Sequence, residues 1–127
     1  YGNLRPTEPT SEILTLTDYR TRHAQYKRDA DLQEVHRQHP FVPIWDDHET
    51  ANDAWKAGAE NHDPATEGPW AARRRAALQA YYEWMPVREP ADRTQAQRSF
   101  RLGSLAEITM LEQRLSGRSK QLPAPLP

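Results

Sequence analysis

Phe41-Val42-Pro43-Ile44-Trp45-Asp46-Asp47-His48-Glu49 is the stretch on which the fold and the chemistry turn: an apolar run stops and at once gives way to ionisable residues. Residues 41–45 are short and rich in strand formers, so they read as a buried strand. Pro43 favours the strand's edge or end, because proline has no N–H to give a ladder. In α/β folds ligands gather beyond the carboxyl ends of strands, and the acidic cluster stands there. Carboxylate oxygens suit hard divalent and trivalent cations, and imidazole is a good borderline ligand. Histidine also has the unperturbed pKa that proton donation to a leaving oxygen requires. From these residues alone a second reading is equally open, a solvated loop whose acids cap the next helix. Successive residues of an extended chain point different ways, so the run places two ligands at most on one ion.

Working outward, the preceding segment reads as helical. Thr17 can cap a helix over about 17–28, with Asp18 favourable in its first turn and Tyr19, His23 and Tyr26 at helical spacing. A further helical turn or two follows from Asp29, with Leu32, Val35 and His36 on one face, and ends at His39 before Pro40. Residues 1–12 read as loop. Past the cluster, 50–56 reads as one helical turn or two and 57–69 as loop. A longer helix is expected over 69–84, with Pro69 in its first position and Pro86 as its stop. Trp70, Arg74, Ala77, Tyr81 and Trp84 share a face of it. After a loop over 86–97, Ser99-Phe100-Arg101-Leu102 and 105–111 read as two strands around Gly103. Residues 112–127 read as polar, then Pro-rich, and loose, with 119–127 as a tail.

The tyrosines at 19, 26 and 81 and the tryptophans at 70 and 84 are expected to pack. His23, His36 and His39 read as helix-surface or packing residues. Arg73-Arg74-Arg75 reads as a solvated face, because consecutive helix positions spread around the axis. Arg114 and Arg118 read as strand-end residues, solvated or near a phosphate.

Composition narrows the classes. The 127 residues are 36% hydrophobic and 28% charged, with a mean hydropathy of −0.99 and eleven prolines. Four tryptophans, five tyrosines and two phenylalanines nevertheless set the chain apart from disordered compositions. A net charge of −1 recommends neither nucleic acid nor an anionic membrane as partner. Cysteine is absent, which excludes thiolate metal sites and disulfides within this stretch. No apolar run approaches a membrane span. A start at Tyr1-Gly2-Asn3, without methionine, reads as a piece of something longer.

Seven words occur in order: Asp18-Tyr19-Arg20-Thr21-Arg22-His23, Asp31-Leu32-Gln33, Trp45-Asp46-Asp47-His48-Glu49, Asn52-Asp53-Ala54-Trp55, Tyr82-Glu83-Trp84-Met85-Pro86-Val87-Arg88, Phe100-Arg101-Leu102-Gly103-Ser104-Leu105 and Leu111-Glu112-Gln113-Arg114-Leu115. Together they resemble the PhoD-like family of alkaline phosphatases and phosphodiesterases over nearly the whole chain. The Trp-Asp-Asp-His-Glu word with its downstream Asn-Asp is the specific part. The resemblance implies a fragment of an α/β metallophosphoesterase fold, the α/β/β/α sandwich of two mixed sheets flanked by helices. Residues 1–127 are then a partial catalytic domain, lacking parts at both ends. It further implies hydrolysis of phosphate esters by a metal-activated water, Fe3+ and Ca2+ as cofactors, and export by the twin-arginine route to the periplasm or beyond.

Matched to the family's loop, Asp47 takes the metal-ligand role and His48 the catalytic one, contacting the phosphoryl group or the leaving oxygen. The wider superfamily has asparagine at the position of Asp47, and the extra charge here favours calcium. Asp46 either orients His48 or caps a helix. Asn52 supports the loop, Glu49 is structural, and His62 is a candidate for the substrate pocket. The family's Gly-Asp-x-x-Tyr word belongs before Tyr1 and its late histidine and aspartate ligands after Pro127. The isolated chain is therefore expected to be inactive without the remaining segments. A non-catalytic binding module and a helical interaction domain are the competing readings.

Overall fold

The computed structural model describes residues 6–120. Along them run α1 (Leu16–Lys27), α2 (Ala30–Gln38), α3 (Pro64–Glu67), α4 (Trp70–Trp84), β1 (Arg98–Leu102) and β2 (Ala106–Met110). The mixed helix-and-strand class expected from the sequence is what these residues form. The loop expected over 1–12 falls partly, and the loose tail over 119–127 mostly, outside the described residues.

Helix starts and stops follow local chemistry. The cap of α1 is Thr15 rather than Thr17, because Thr15 and Asp18 form a reciprocal box. The Asp18 N–H donates to Thr15 Oγ1 at 3.3 Å, and the Thr15 N–H donates to Asp18 Oδ2 at 2.8 Å. The α2 cap is Asp29, whose Oδ1 accepts the Leu32 N–H at 3.0 Å. Its end is His39, extended ahead of Pro40. Pro69 sits one position earlier than expected, as the N-cap of α4, and Met85 ends that helix ahead of Pro86.

Two sequence expectations are corrected. Residues 41–45 do not form a strand: Pro43 offers no N–H, no neighbouring strand lies alongside among the described residues, and Phe41 and Val42 are 43% and 45% exposed. Only Trp45 at the end of this segment is buried. Residues 50–56 form turns, not a helix, because Asp53 takes a left-handed φ of 50° and Trp55 closes a bridge with Gly58. The 57–69 loop contains the short α3, capped by Asp63 with Pro64 following.

The expected pair of strands is present. β1 and β2 pair antiparallel, with Phe100 opposite Ile108 and Leu102 opposite Ala106. Gly103, with φ of 58°, supplies the left-handed residue that the connecting turn requires. This hairpin stands largely in solvent, while the core lies among the helices and the loops.

α1 lies against α4 where Tyr19 meets Ala77 and Ala80, whose small side chains let the helices approach. Trp45, Trp70, Leu78, Tyr81 and Leu115 form the second cluster with four alanines. Tyr26 lies outside both clusters and is 47% exposed. Arg73 is not on a solvated face. Its side chain is only 2% exposed, because Glu12, Glu67 and the Tyr19 hydroxyl supply acceptors inside. Residues 112–117 also depart from the polar, loose reading, since Leu115 is buried and the carboxylate of Glu112 gathers the segment around itself.

Candidate functional site

Trp45 fixes the loop that follows it. Its indole stands edge-on to Tyr81 and Tyr82, with ring centroids 5.1 and 5.9 Å away. Its Nε1–H donates to Glu112 Oε1 at 3.0 Å. Aromatic packing and a charge-assisted hydrogen bond thus hold the chain at the residue before Asp46. Downstream the loop is held again at Thr50, whose carbonyl accepts the Tyr19 hydroxyl at 2.5 Å. Tyr19 in turn accepts from Arg73 Nε at 3.2 Å, which ties the loop to both α1 and α4. Burial pushes the Tyr19 hydroxyl pKa up although Arg73 opposes the shift, so Tyr19 remains a donor.

Between these anchors Asp47 folds the backbone back on itself. Its carbonyl accepts the N–H groups of Thr50 and Ala51, each at 2.8 Å. Its carboxylate, 6% exposed as a residue, accepts the His48 N–H on Oδ1 at 3.0 Å and the Asp53 N–H on Oδ2 at 2.7 Å. The left-handed Asp53 aims that N–H at Asp47. Glu49 closes the near side by accepting the Asp46 N–H at 2.8 Å.

Arg114 gathers the acids from outside. Its Nε donates to Asp46 Oδ1 at 2.6 Å, and its terminal nitrogens lie 3.7 Å from Asp47 Oδ1 and 3.5 Å from Asp53 Oδ1. Arg118 reaches Asp53 from the same turn, at 3.4 Å. Both arginines are thus engaged with the loop's carboxylates and sit on no strand end. Arg114 holds the Asp46 carboxyl below the ordinary carboxylate range, although burial pulls the other way. The Asp46 carboxylate therefore faces Arg114, not the His48 ring.

Asn52 is the side chain that meets the His48 ring, with Oδ1 2.9 Å from Nε2. The Asn52 amide nitrogen donates to Glu60, which turns Oδ1 toward the histidine. An amide oxygen only accepts, so this contact keeps a proton on Nε2. The ring itself is 49% exposed and lies 3.9 Å from Asp47 Oδ2. A buried carboxylate and a half-exposed imidazole are thus side by side.

His62, expected in the substrate pocket, is packed inside. Its side chain is 1% exposed, its Nδ1 meets Glu67 Oε2 at 2.9 Å, and its ring lies 5.2 Å from that of Trp70. It does not line the cavity beside His48.

A metal finds an incomplete seat here. Among the described residues no group of three or more candidate ligands comes together. The Asp47 oxygens keep lone pairs beyond their hydrogen bonds, so this carboxylate fits as one ligand, with the remainder to be supplied elsewhere. Of the residues that shape the loop, Tyr19, Arg73 and Glu112 carried no functional signal in sequence. The one hint at Glu112 was its Ser116-Gly117 context, a turn whose N–H groups need an acceptor.

The family model described as PhoD-like phosphatase matches residues 2–125. Alkaline phosphatase D of Bacillus subtilis (strain 168) is 42% identical over 117 residues, or 89% of this chain. The chain spans 20% of that relative's length. No solved structure matches the chain significantly.

Proposed function

Because the chain belongs to the PhoD-like phosphatase family, we propose that it is the Asp47–His48 segment of a phosphoric ester hydrolase. One observation carries this reading: a loop anchored at both ends holds the buried Asp47 carboxylate 3.9 Å from the exposed His48 ring, whose Nε2 meets Asn52. In the proposed reaction His48, in its doubly protonated form, contacts the phosphoryl group and gives one proton to the leaving oxygen, returning to the neutral ring whose Nε2–H stays on Asn52. Asn52 fixes the ring's orientation and the nitrogen that bears the proton. Asp47 contributes one carboxylate oxygen to a metal site whose other ligands lie in further parts of the complete enzyme. Such a metal, when bound, supplies charge stabilisation and an acidified water. We assign the ions as Fe3+ and Ca2+ on the family resemblance, and the hard oxygen ligand supports calcium.

Asp46 and Arg114 keep the loop's charges balanced while its polar face stays open. The substrate is a phosphate ester, monoester or diester. We extend the proposal to an exported location; no helix among the described residues is long and apolar enough to cross a membrane.

Two measurements test this reading. Asp47→Ala in the complete enzyme lowers bound metal, by elemental analysis, to about half or less of the unaltered protein's content, since lost ligands weaken such sites strongly. Unchanged metal content removes Asp47 from the ligand set. The isolated 127-residue chain, given a chromogenic phosphomonoester, turns over no faster than its own His48→Ala variant. Turnover well above that control means that the described residues suffice.

A further inference from the structure

A cavity of about 190 Å³ opens beside the loop, and its walls include His48, Asn52, Asn61, Glu12, Arg22 and Arg73. Asp47 is not part of its lining. If the phosphoryl group sits where Asp47 and His48 meet, the cavity lies on the histidine's side, toward the ester's departing half.

The charges of its walls are unequal. Arg73 is matched by Glu12 and Glu67. Arg22 differs: its Nε donates to the Glu8 carbonyl at 2.8 Å and a terminal nitrogen donates to the Pro9 carbonyl at 3.1 Å. The acids nearest it in that segment are committed elsewhere, Glu8 to Arg28 and Glu12 to Arg73. Carbonyl oxygens orient a guanidinium and leave its charge standing. Arg22 is therefore a half-buried, pre-oriented cation in a polar cavity that also contains a proton-bearing histidine. A guanidinium in that setting favours an anion over a neutral group, because its remaining N–H donors form charge-assisted bonds.

We propose that this cavity is the leaving-group subsite and that Arg22 selects esters whose departing alcohol carries a negative charge of its own. The inference rests on the reading of His48 given above. Arg22 takes no part in bond breaking; it determines specificity. Asn52 and Asn61 add amide donors and acceptors to the same walls, which suits a polar alcohol better than an aryl group.

The test uses the complete enzyme and two phosphomonoesters of similar size. In 3-phosphoglycerate the leaving alcohol bears a carboxylate, and in glycerol 3-phosphate it is uncharged glycerol. The ratio of their kcat/KM values is expected to exceed one. Arg22→Gln lowers that ratio about tenfold, acting on the charged ester and leaving the neutral one nearly unchanged, and Arg22→Lys restores part of it. A ratio at or below one in the unaltered enzyme overturns the proposal without any variant. So does a ratio that Arg22→Gln leaves unmoved. The two readings fail separately: if His48→Ala leaves both rates intact, the assignment of His48 falls. If it abolishes both while the ratio is flat, only the subsite falls.

Discussion

Replacing His48 by alanine in the complete enzyme is expected to lower kcat about a hundred- to ten-thousandfold, the range that a positioned proton donor supplies. The argument is geometric. The ring lies 3.9 Å from a buried carboxylate, and its Nε2 is engaged by Asn52 at 2.9 Å. Loss of the imidazole removes the proton source and leaves the loop's scaffold untouched, because the contacts that hold the loop come from Trp45, Asp47, Glu49 and Thr50. The variant should therefore keep its melting temperature and lose rate. Esters with good leaving groups, which need little protonation, should lose least, so a nitrophenyl ester falls less than an alkyl ester. Asn52→Ala should give a smaller loss, with the rate shifted along the pH axis, since it frees the ring's orientation and keeps the acid. A His48→Ala enzyme within a few-fold of full rate on an alkyl ester would remove His48 from the chemistry.

What sequence revealed and what it hid divide along contact distance. Asp47 and His48 are chain neighbours, so their pairing was legible at once. Helices with a cap and a proline stop were legible for the same reason, since Asp29, Pro40 and Pro86 act within one turn. The two strands around Gly103 were legible because both partners lie within a few residues of the turn glycine. The 41–45 segment misled because its composition is that of a strand, yet a strand exists only beside a partner, and none lies there among the described residues. Arg73 misled in the opposite sense. Three arginines in a row look solvated, but a helix turns each to a different side, and the first meets Glu12 and the Tyr19 hydroxyl, residues far off in sequence. Arg114 and Asp46 are 68 residues apart, and no local pattern encodes their pairing. The support of the loop is thus a property of tertiary packing, whereas its chemical groups are a property of the sequence word.

The same reasoning makes Glu112 the most consequential structural residue. Burial alone would raise its carboxyl pKa, but Ser116, the Trp45 indole and backbone N–H groups outweigh that and bring it from 4.5 to about 2. A carboxyl depressed on folding adds stability that is complete above its unfolded value. That stability is lost as pH falls from about 4.5 through about 2. The shift corresponds to about 3 kcal/mol at neutral pH. Glu112→Ala leaves the indole of Trp45 and the N–H groups of Arg114, Leu115, Ser116 and Gly117 without their acceptor. The expected loss is about 3–5 kcal/mol. In the complete enzyme it is read locally, as a fall of about two orders of magnitude or more in hydrogen-exchange protection of the amides at 114–117. Glu112→Gln keeps one accepting oxygen and loses the charge, so it should fall between the two and flatten the acid dependence over that pH window. Gln113→Ala, next to it and exposed, should change nothing measurable. Because Glu112 also holds Trp45, the alanine variant should lose activity along with protection, although Glu112 contacts neither Asp47 nor His48. Full protection at 114–117 in Glu112→Ala, or an unchanged acid profile in Glu112→Gln, would show that the loop stands without its anchor.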